Sequence, residues 1–474
     1  MGSPLNDPEP QATLHQRRSS LAADGRRLKV RVGDVHGPFS RWRQRAFWAL
    51  IAFYAAAPLI QVNGAPLIFL DILQRRFYLF GGTYNAQDAY LLFPFVAAGI
   101  VALFLATAVL GRLWCGWACP QTVFLEGVFR RIERLVEGPK HEQIRLESGP
   151  WGLRKLGLLG LKHGLYLLAA LAVSHIFISY FVSFEQLRTW VLGDPKEHWT
   201  AFLWMGSITG ALYLDFAWFR EQTCLILCPY GRLQSALTDD DSLVIGYDGA
   251  RGEPRAKRGT VGAGDCVDCL RCVDVCPTGI DIREGLQLDC VGCANCIDAC
   301  DDVMAQLGRA KGLVRYDSLK GLQGKSRRIL RPRLYLYAFF LLAFGALGAA
   351  FMAGRRPFEA TLLRQTGLPY VVEAGQLRNA YMMHIFNKTN RRSEFEIQAQ
   401  LPEGAKALLP VPLLSLDSLD DRRLPLIVQM PLKDFRGEFD VTVVTRDKSD
   451  GRTVTSKLRF TGPATPEPTA KAGP

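Results

Sequence analysis

The chain has 474 residues with a formal net charge of +12, and 49% of its residues are hydrophobic against 22% charged. The apolar residues gather in long runs with the charges between them, which excludes a disordered chain and a single small soluble fold. The basic residues flank these runs and accompany no nucleic-acid-binding motif, so we expect no nucleic-acid partner. The composition indicates a membrane protein.

Residues 1–45 form a basic leader, and five apolar runs follow that are candidates for crossing a bilayer, which takes roughly 20 apolar residues in a helix. Four runs contain no Asp, Glu, Lys or Arg, namely 46–70, 89–111, 164–184 and 334–354. The fifth, 199–219, reaches spanning length only by continuing past Asp215, and a re-entrant segment is the alternative there. The sequence therefore predicts an α-helical membrane bundle of about five spans, four of them in residues 46–219.

The distribution of Lys and Arg orients these spans, because basic residues concentrate on the cytoplasmic side of a membrane. They are frequent in the leader, in the connection 112–155 and after residue 219, and sparse in the other connections. This alternation places the N-terminus and residues 220–333 in the cytoplasm and residues 355–474 outside. Arg355 and Arg356, just beyond the last span, are a small exception to the rule.

Residues 120–137 interleave apolar and charged side chains at helical spacing. The pattern predicts an amphipathic helix that lies on the inner surface of the membrane. The alternative is a helix packed on the cytoplasmic domain.

Residues 355–474 are predicted to form a separate β domain. Short runs rich in Val, Ile, Thr and aromatic residues alternate with turn residues, at 381–386, 395–400, 424–430, 439–444 and 453–460. This pattern is typical of an immunoglobulin-like β-sandwich. The domain contains no cysteine, and its Pro- and Ala-rich end is predicted to be disordered.

Eight of the twelve cysteines lie in the predicted cytoplasmic domain as two C-x2-C-x2-C-x3-C runs. This is the spacing of a bacterial ferredoxin with two [4Fe-4S] clusters, in which the fourth cysteine of each run ligates the other cluster. Zinc sites and free thiols are the alternatives, but zinc ligands rarely repeat such three-step runs. The predicted ligands, in a ferredoxin-like unit over about residues 260–305, are Cys266, Cys269, Cys272 and Cys300 for one cluster, and Cys276, Cys290, Cys293 and Cys296 for the other.

The other four cysteines form two C-x3-C-P elements that end at Pro120 and Pro229, each just past an apolar run. The spacing puts both sulfurs of an element on one helix face, and the proline suits the first position of a new helix. A thiol at that junction faces a helix N-terminus, so we expect its pKa to be lowered. Besides buried packing, the spacing leaves open a redox dithiol, a joint four-thiolate metal site, or a site that binds and reduces a soft metal ion at Cys115, Cys119, Cys224 and Cys228.

His175 is the one titratable residue deep in a predicted span, and His163 lies at the mouth of the same helix. An intramembrane ionisable residue is a functional candidate, and the contact predicted for His175 is a quinone, a haem or copper. A bis-histidine haem requires a second deep histidine, which the sequence lacks, so packing is the alternative. We interpret Met205 and Met304 as packing residues.

With apolar spans, paired C-x3-C-P elements, two ferredoxin runs and a terminal β domain in this order, the chain resembles the CcoG/FixG family of accessory proteins for assembly of cbb3-type cytochrome c oxidase. Its most specific marks are the stretch Cys115-Gly-Trp-Ala-Cys119-Pro120, the stretch from Cys224 to Arg232, and the ferredoxin runs. The resemblance implies a bacterial inner-membrane protein with a periplasmic β domain that reduces Cu(II) to Cu(I) for the oxidase. It also implies the partners, which are the oxidase assembly machinery or a copper transporter or chaperone.

Under this hypothesis an unidentified cytoplasmic donor supplies electrons to the two clusters. Copper, the substrate, is then reduced while it is held by four catalytic thiolates, those of Cys115, Cys119, Cys224 and Cys228. Two other functions stay open: an iron–sulfur subunit that links the quinone pool to a partner reductase and binds no copper, and a non-catalytic assembly scaffold.

Overall fold

The structure is a computed structural model that describes residues 29–62, 65–72, 76–389 and 391–463. Most of the predicted basic leader and the predicted disordered end lie outside these residues. The chain divides into two compact units. The helical unit comprises the residues up to Ile60 together with Ile68–Ile72 and Tyr90–Gly348, and the sandwich unit comprises Gln61–Leu67, Leu73–Ala89 and Ala349–Pro474.

Helices make up most of the helical unit. In chain order they begin with α1 Pro38–Ala56, α2 Leu92–Leu110, α3 Leu113–Trp117, α4 Pro120–Phe124, α5 Arg130–Glu137, α6 Lys140–Ser148, α7 Leu153–Ile178 and α8 Phe184–Leu192. They continue with α9 Trp199–Leu214, α10 Pro229–Leu237, α11 Gly249–Gly252, α12 Arg271–Asp274, α13 Asn295–Gln306, α14 Leu319–Leu322 and α15 Pro332–Ala353. Wider π-helical turns occur at Leu125–Phe129, Asp215–Phe219 and Thr223–Leu227.

Strands are short before residue 350 and longer after it. The early strands are β1 Gln61–Val62, β2 Ala65–Pro66, β3 Ile68–Asp71, β4 Arg76–Leu79, β5 Gly82–Asn85, β6 Val244–Tyr247 and β7 Val314–Asp317. The later strands are β8 Phe358–Arg364, β9 Val371–Glu373, β10 Gln376–Asn387, β11 Ser393–Gln400, β12 Lys406–Leu408, β13 Leu413–Leu416, β14 Asp421–Pro431, β15 Phe439–Asp447 and β16 Thr453–Phe460.

Within the described residues, three helices are long and apolar enough to cross a membrane, namely Asp88–Leu110, Leu153–Ile178 and Pro332–Ala353. Large apolar side chains such as Phe93, Leu168 and Phe339 are exposed on them. Such surfaces are compatible with lipid contact. The three helices correspond to the predicted runs 89–111, 164–184 and 334–354. The helix in the run 164–184 begins earlier than predicted, at Leu153, and ends at Ile178.

The continuous helix predicted over residues 46–70 is not present. Helix α1 begins earlier, at Pro38, and ends at Ala56, and the chain then forms the short β1–β2 pair. Pro58 follows the helix end closely, and a proline disfavours helical geometry at the residue before it. In the fifth run the helix does continue past Asp215, as a π-helical turn that ends at Phe219.

The helix predicted over residues 120–137 is present as α4, a π-helical turn and α5. Arg130 and Glu133 of this helix are buried, while Leu135 is 81% exposed. Arg130 donates to the carbonyl of Pro277, which agrees with the alternative of a helix packed on the ferredoxin-like segment. Its position on the inner surface of the membrane stays a prediction.

The ferredoxin-like segment is built on the antiparallel pair β6–β7 and on α12 and α13. Its core contains Ile245, Ile282, Ile297 and Val314. Asp298 of α13 accepts hydrogen bonds from the backbone amides of Phe39 and Ser40, at 3.3 and 2.7 Å, and so caps the first turn of α1. A carboxylate at a helix N-terminus satisfies amides that have no partner within the helix.

The sandwich unit contains two antiparallel sheets, with orders β12-β14-β10-β8 and β13-β11-β15-β16, and β9 pairs with β10. Alternate residues of β10 are buried, the period expected of a strand with one face on a core. The five predicted strands are confirmed as β10, β11, β14, β15 and β16. The sequence did not predict β8, β9, β12 and β13.

Candidate iron–sulfur and paired-cysteine sites

The eight ferredoxin-type cysteines line two cavities in the helical unit. Cys266, Cys269, Cys272 and Cys300, which we name the first cysteine set, line one cavity with Tyr247, Arg283 and Met304. The second cysteine set, Cys276, Cys290, Cys293 and Cys296, lines the other cavity, which Cys272 of the first set also borders. The fourth cysteine of each run thus lies with the other run's first three, as the sequence predicts.

The two runs have matching backbone geometry. Asp268 and Gly292 occupy equivalent positions with left-handed φ of 51° and 68°, and Leu270 and Ala294 do so with φ of 57° and 64°. Left-handed residues turn the chain sharply, so that three thiols of each run face one cavity. Four cysteines around an apolar cavity fit a [4Fe-4S] cluster, and the ligation itself stays a prediction.

Burial raises the pKa of several of these thiols, to about 12 for Cys290 and Cys300 and about 11 for Cys293. These three thiols are therefore protonated at neutral pH when no cluster is bound. Iron binding has to release these protons, because the ligand is the thiolate.

The two C-x3-C-P elements have the predicted local structure. Cys115 lies in α3, and Cys224 lies in the π-helical turn Thr223–Leu227. Cys119 and Cys228 have extended backbones and precede Pro120 and Pro229, which open α4 and α10. Each second cysteine therefore occupies the N-cap of a new helix.

The four cysteines of these elements, which we name the paired cysteines, lie in one neighbourhood. Charges on Cys119, Cys115 and Cys228 each raise the pKa of the Cys224 thiol, after the larger effect of burial. Cys228 acts on Cys115 and Cys119 in the same way. In the described part of the chain, no three His, Cys, Asp or Glu residues are grouped closely enough to hold one metal ion. This holds for the paired cysteines and for both ferredoxin-type sets.

The expectation of a lowered thiol pKa is wrong for Cys119. Burial raises the pKa of Cys119, although hydrogen bonds from the amides of Gln121 and Thr122 act in the opposite direction. Burial also raises the pKa of Cys115 to about 11 and that of Cys224 to about 12. Desolvation of a thiolate thus outweighs the helix N-terminus.

Polar residues that the sequence did not single out surround the paired cysteines. The fully buried Gln234 accepts a hydrogen bond from Cys115 Sγ at 3.4 Å. Arg112 donates to the carbonyl of Gly231 at 2.6 Å, which ties the first element to the second. The sequence gave no signal of this role, because Gln234 lies outside the C-x3-C-P element, more than one helical turn after Pro229.

A clamp of polar contacts holds the two elements together. Gln121, just after Cys119, donates to Asp215 at 3.2 Å and to the carbonyl of Arg220 at 3.1 Å. Thr223 donates to the same carboxylate. Arg220 in turn makes a bidentate ion pair with Glu133 of α5, with both N–O distances at 2.9 Å. These contacts join segments that lie far apart in the sequence.

The first C-x3-C-P element also touches the second cysteine set. A Cβ atom on Gly116 would come within 2.7 Å of the Val291 carbonyl oxygen and 2.9 Å of the Cys293 Cα atom. Only glycine permits this approach of two backbones. The paired cysteines are therefore next to the second set.

The histidines and methionines have local partners. Nδ1 of His175 forms a hydrogen bond with the carbonyl of Leu171 at 2.7 Å, one helical turn away, and His163 contacts the hydroxyl of Tyr213. Met304 packs in a buried cluster, as predicted, and the Met205 sulfur accepts a hydrogen bond from Ser174. The contact of His175 with a quinone, a haem or copper stays a prediction.

Comparison with known families agrees with this arrangement. A 4Fe-4S dicluster domain model matches residues 219–319, a 4Fe-4S binding domain model matches residues 92–139, and a model of the IG-like fold at the C-terminal of FixG matches residues 348–463. The fold and the sites define an iron–sulfur electron-transfer protein with apolar helices compatible with a membrane and a C-terminal immunoglobulin-like domain.

Two curated relatives cover most of the chain. The nitrogen fixation protein FixG of Rhizobium meliloti is 33% identical over 407 residues, 76% of this chain and 77% of FixG. Protein RdxA of Cereibacter sphaeroides is also 33% identical, over 80% of this chain and 82% of RdxA. The chain belongs to the FixG family. The crystal structure of a FixG-related protein from Vibrio parahaemolyticus aligns at 18% identity and a TM-score of 0.21, over 23% of this chain and 97% of its own, and supports no argument.

Proposed function

We propose that the protein is a cupric reductase of the bacterial inner membrane, which supplies Cu(I) for maturation of the copper centre of a cbb3-type cytochrome c oxidase. Its electrons come from a cytoplasmic one-electron donor. When bound, the two [4Fe-4S] clusters supply one-electron transfer at the first and second cysteine sets. The Cu(I) product passes to a copper transporter or chaperone, or to the oxidase assembly machinery.

The contact of Gly116 with the second cysteine set is the observation that carries this proposal. It brings the backbone of the first C-x3-C-P element against the backbone of the second cysteine set, the predicted site of an electron carrier. Soft thiolates favour Cu(I), so the paired cysteines suit the product of the reduction. The reaction balances as Cu(II) plus one electron to Cu(I).

Copper binding requires the paired cysteines to release protons. Burial raises the pKa of Cys115, Cys119 and Cys224, so these thiols are protonated before copper arrives. Copper binding displaces the protons, because the thiolate is the ligand. Arg112 offsets part of this cost, since its charge lowers the pKa of Cys115.

The proposal includes a topology with five membrane-crossing segments, in which residues up to 45 and 220–333 are cytoplasmic and residues from 355 on are periplasmic. Three apolar helices and the distribution of basic residues support it. The first crossing requires α1, and the fourth requires α9 with its π-helical extension. Reporter fusions after residues 150, 195, 260 and 463 test this order, and a cytoplasmic reporter at residue 463 contradicts it.

The decisive experiment compares anaerobically purified protein with a variant in which all four paired cysteines are alanine. Each protein is reduced with dithionite, desalted and mixed with Cu(II) and a Cu(I)-specific chelator. We expect wild type to form the Cu(I) chelate as its cluster absorbance returns to the oxidised spectrum. The variant is expected to keep the cluster absorbance and to lose chelate formation. Equal rates in the two proteins would contradict a role of these thiols.

A second candidate function is an electron conduit between the quinone pool and a partner reductase. The match of a 4Fe-4S binding domain to residues 92–139 favours it, because Cys115 and Cys119 are the only cysteines in that segment. Cys224 and Cys228 would supply the two further ligands of a third cluster. Iron analysis separates the candidates: about eight iron atoms per chain agree with copper reduction, whereas about twelve, falling to about eight in the four-alanine variant, support the conduit.

A further inference from the structure

We propose that the helical unit gives electron transfer a fixed direction: the first cysteine set accepts electrons from the soluble donor, and the second set delivers them to the paired cysteines. Arg43 and Arg130 are positioning residues that hold the reduction potential at the second set above that at the first. This inference rests on the proposed electron-transfer function, but not on whether the final acceptor is copper or a third cluster.

The second cysteine set contacts the first C-x3-C-P element. We name this contact the seam, and it consists of residues 116–117, 291–293 and Tyr316. On one side of it Gly116 lies against the Cys293 backbone. On the other, a Cβ atom on Gly292 would meet the Arg112 carbonyl oxygen at 3.0 Å. Two backbones therefore touch at two places with no side chain between them. Electron transfer slows steeply with distance, so this is a favourable crossing point.

Hydrogen bonds hold the seam closed. Trp117 donates from Nε1 to the hydroxyl of Tyr316 at 3.2 Å, and that hydroxyl donates to the carbonyl of Gly292 at 2.6 Å. Trp117 lies between Cys115 and Cys119, and Gly292 lies between Cys290 and Cys293. Tyr316 thus bridges the middle of one motif to the middle of the other.

Buried arginines contact the second cysteine set. Arg43 is 5% exposed and donates to the Cys293 carbonyl at 3.2 Å and to Asn295 at 2.5 Å. Arg130 is 3% exposed and donates to the carbonyl of Pro277, next to Cys276, at 3.1 Å. Both pair with Glu126, and Arg130 also pairs with Glu221. The two arginines donate directly to the loop carbonyls, and Arg43 acts more strongly on the Cys293 thiol than the opposing charge of Glu126 does.

The first cysteine set has more acidic neighbours. Charges on Asp281 and Asp301 act on the thiols of Cys272 and Cys300. The one cation acting on Cys272 there is Arg283, and it is shared between Asp281 and Asp268. Positive charge near a cluster favours its reduced, more negative state, and negative charge disfavours it. The second set is therefore expected to have the higher potential.

Exposure agrees with this order. Each set has two buried cysteines, but Cys269 of the first set is exposed and the second set has no exposed cysteine. A soluble one-electron reductant can approach the first set directly. With clusters bound at both sets, the electron would pass to the second set and across the seam, so that each transfer would oxidise one carrier and reduce the next by one electron.

The first test is a redox titration of purified full-length protein, followed by electron paramagnetic resonance. Wild type is expected to show two one-electron steps. Arg43→Gln should lower the potential of the higher step only, Arg43→Lys should leave it near the wild-type value, and Arg41→Gln is the control from the exposed face of the same helix. A shift of the lower step, or of neither step, would overturn the assignment.

The second test addresses the seam. Gly116→Ala should slow oxidation of the reduced clusters by Cu(II) at least tenfold in stopped-flow mixing, with both potentials unchanged. Gly99→Ala is the matched control, because a Cβ atom there meets nothing within 4 Å. Tyr316→Phe removes the bridging hydroxyl without added bulk, and should slow the same step if Gly116→Ala fails to fold.

The two tests separate this inference from the proposed function. Wild type that never reduces Cu(II) would contradict the copper function, yet the order of potentials would still be measured by titration. Normal oxidation rates in both Gly116→Ala and Tyr316→Phe would contradict the seam as the crossing point.

Discussion

The two kinds of cysteine site in the helical unit are assembled in different ways. The ferredoxin-type sets come from one continuous stretch, residues 266–300, whose local turns bring the thiols together. The paired cysteines come from two segments separated by about a hundred residues, and the clamp formed by Gln121, Asp215, Arg220 and Glu133 joins them. The first kind depends on local backbone geometry, whereas the second depends on the packing of distant helices.

The largest effect that distinguishes them is expected from Arg220→Met. This change leaves Glu133 buried without its bidentate partner, which costs about 3–5 kcal/mol. The paired cysteines should lose their arrangement while the ferredoxin-type iron remains bound. Thermal unfolding and iron content measure the two effects, and the double variant Arg220→Met with Glu133→Leu should recover most of the stability. Loss of iron in proportion to stability would show that the two sites are not separable.

Acid should weaken the same clamp. Burial alone would raise the pKa of Glu133, but Arg220 and Arg130 more than offset it and lower the pKa to about 2. A carboxyl with a lowered pKa stabilises the fold above its unfolded pKa, and this contribution is lost as the pH falls from about 4.5 towards 2. The loss is expected to be about 3 kcal/mol in unfolding free energy. Glu133→Gln should abolish this pH dependence, and an unchanged profile in that variant would contradict the assignment.

A smaller effect is expected from Asp215→Asn. The amide keeps one acceptor oxygen but loses the charge that Gln121 and Thr223 contact, which costs about 1–2 kcal/mol. Cu(I) affinity at the paired cysteines should fall, as measured by competition with a chelator, while both cluster potentials stay unchanged. Asp240→Asn is a control at an exposed carboxylate. A change in cluster potential without a change in Cu(I) affinity would contradict the assignment of Asp215 to the paired cysteines.

The smallest effect is expected at the second cysteine set. Ala294 has a left-handed φ of 64°, a conformation that costs an alanine about 1 kcal/mol relative to glycine. Ala294→Gly is therefore expected to stabilise the second cysteine set slightly and to leave the paired cysteines unaffected. Slower release of iron to a chelator measures this gain, and faster release would show that the loop needs the stiffer residue.

The sequence predicted which ferredoxin-type thiols lie together, because spacing determines which thiols of a short run can share a cavity. It also predicted the helix starts at Pro120 and Pro229, since proline acts on its nearest neighbours. Spacing could not show the burial that raises the pKa of Cys119, nor the close approach at Gly116, because both depend on segments distant in the chain. The error over residues 46–70 had a local signal in Pro58, which hydropathy alone does not weigh.

The cap that Asp298 provides for α1 has a consequence for biogenesis. Asp298 lies between Cys296 and Cys300, two predicted cluster ligands, and it caps a helix through Phe39, which lies 259 residues earlier in the chain. The ribosome therefore synthesises α1 long before the residue that caps it. Until α13 has folded, the amides of Phe39 and Ser40 lack this partner. Helix α1 can thus reach its final structure only after a segment from the far end of the helical unit is in place.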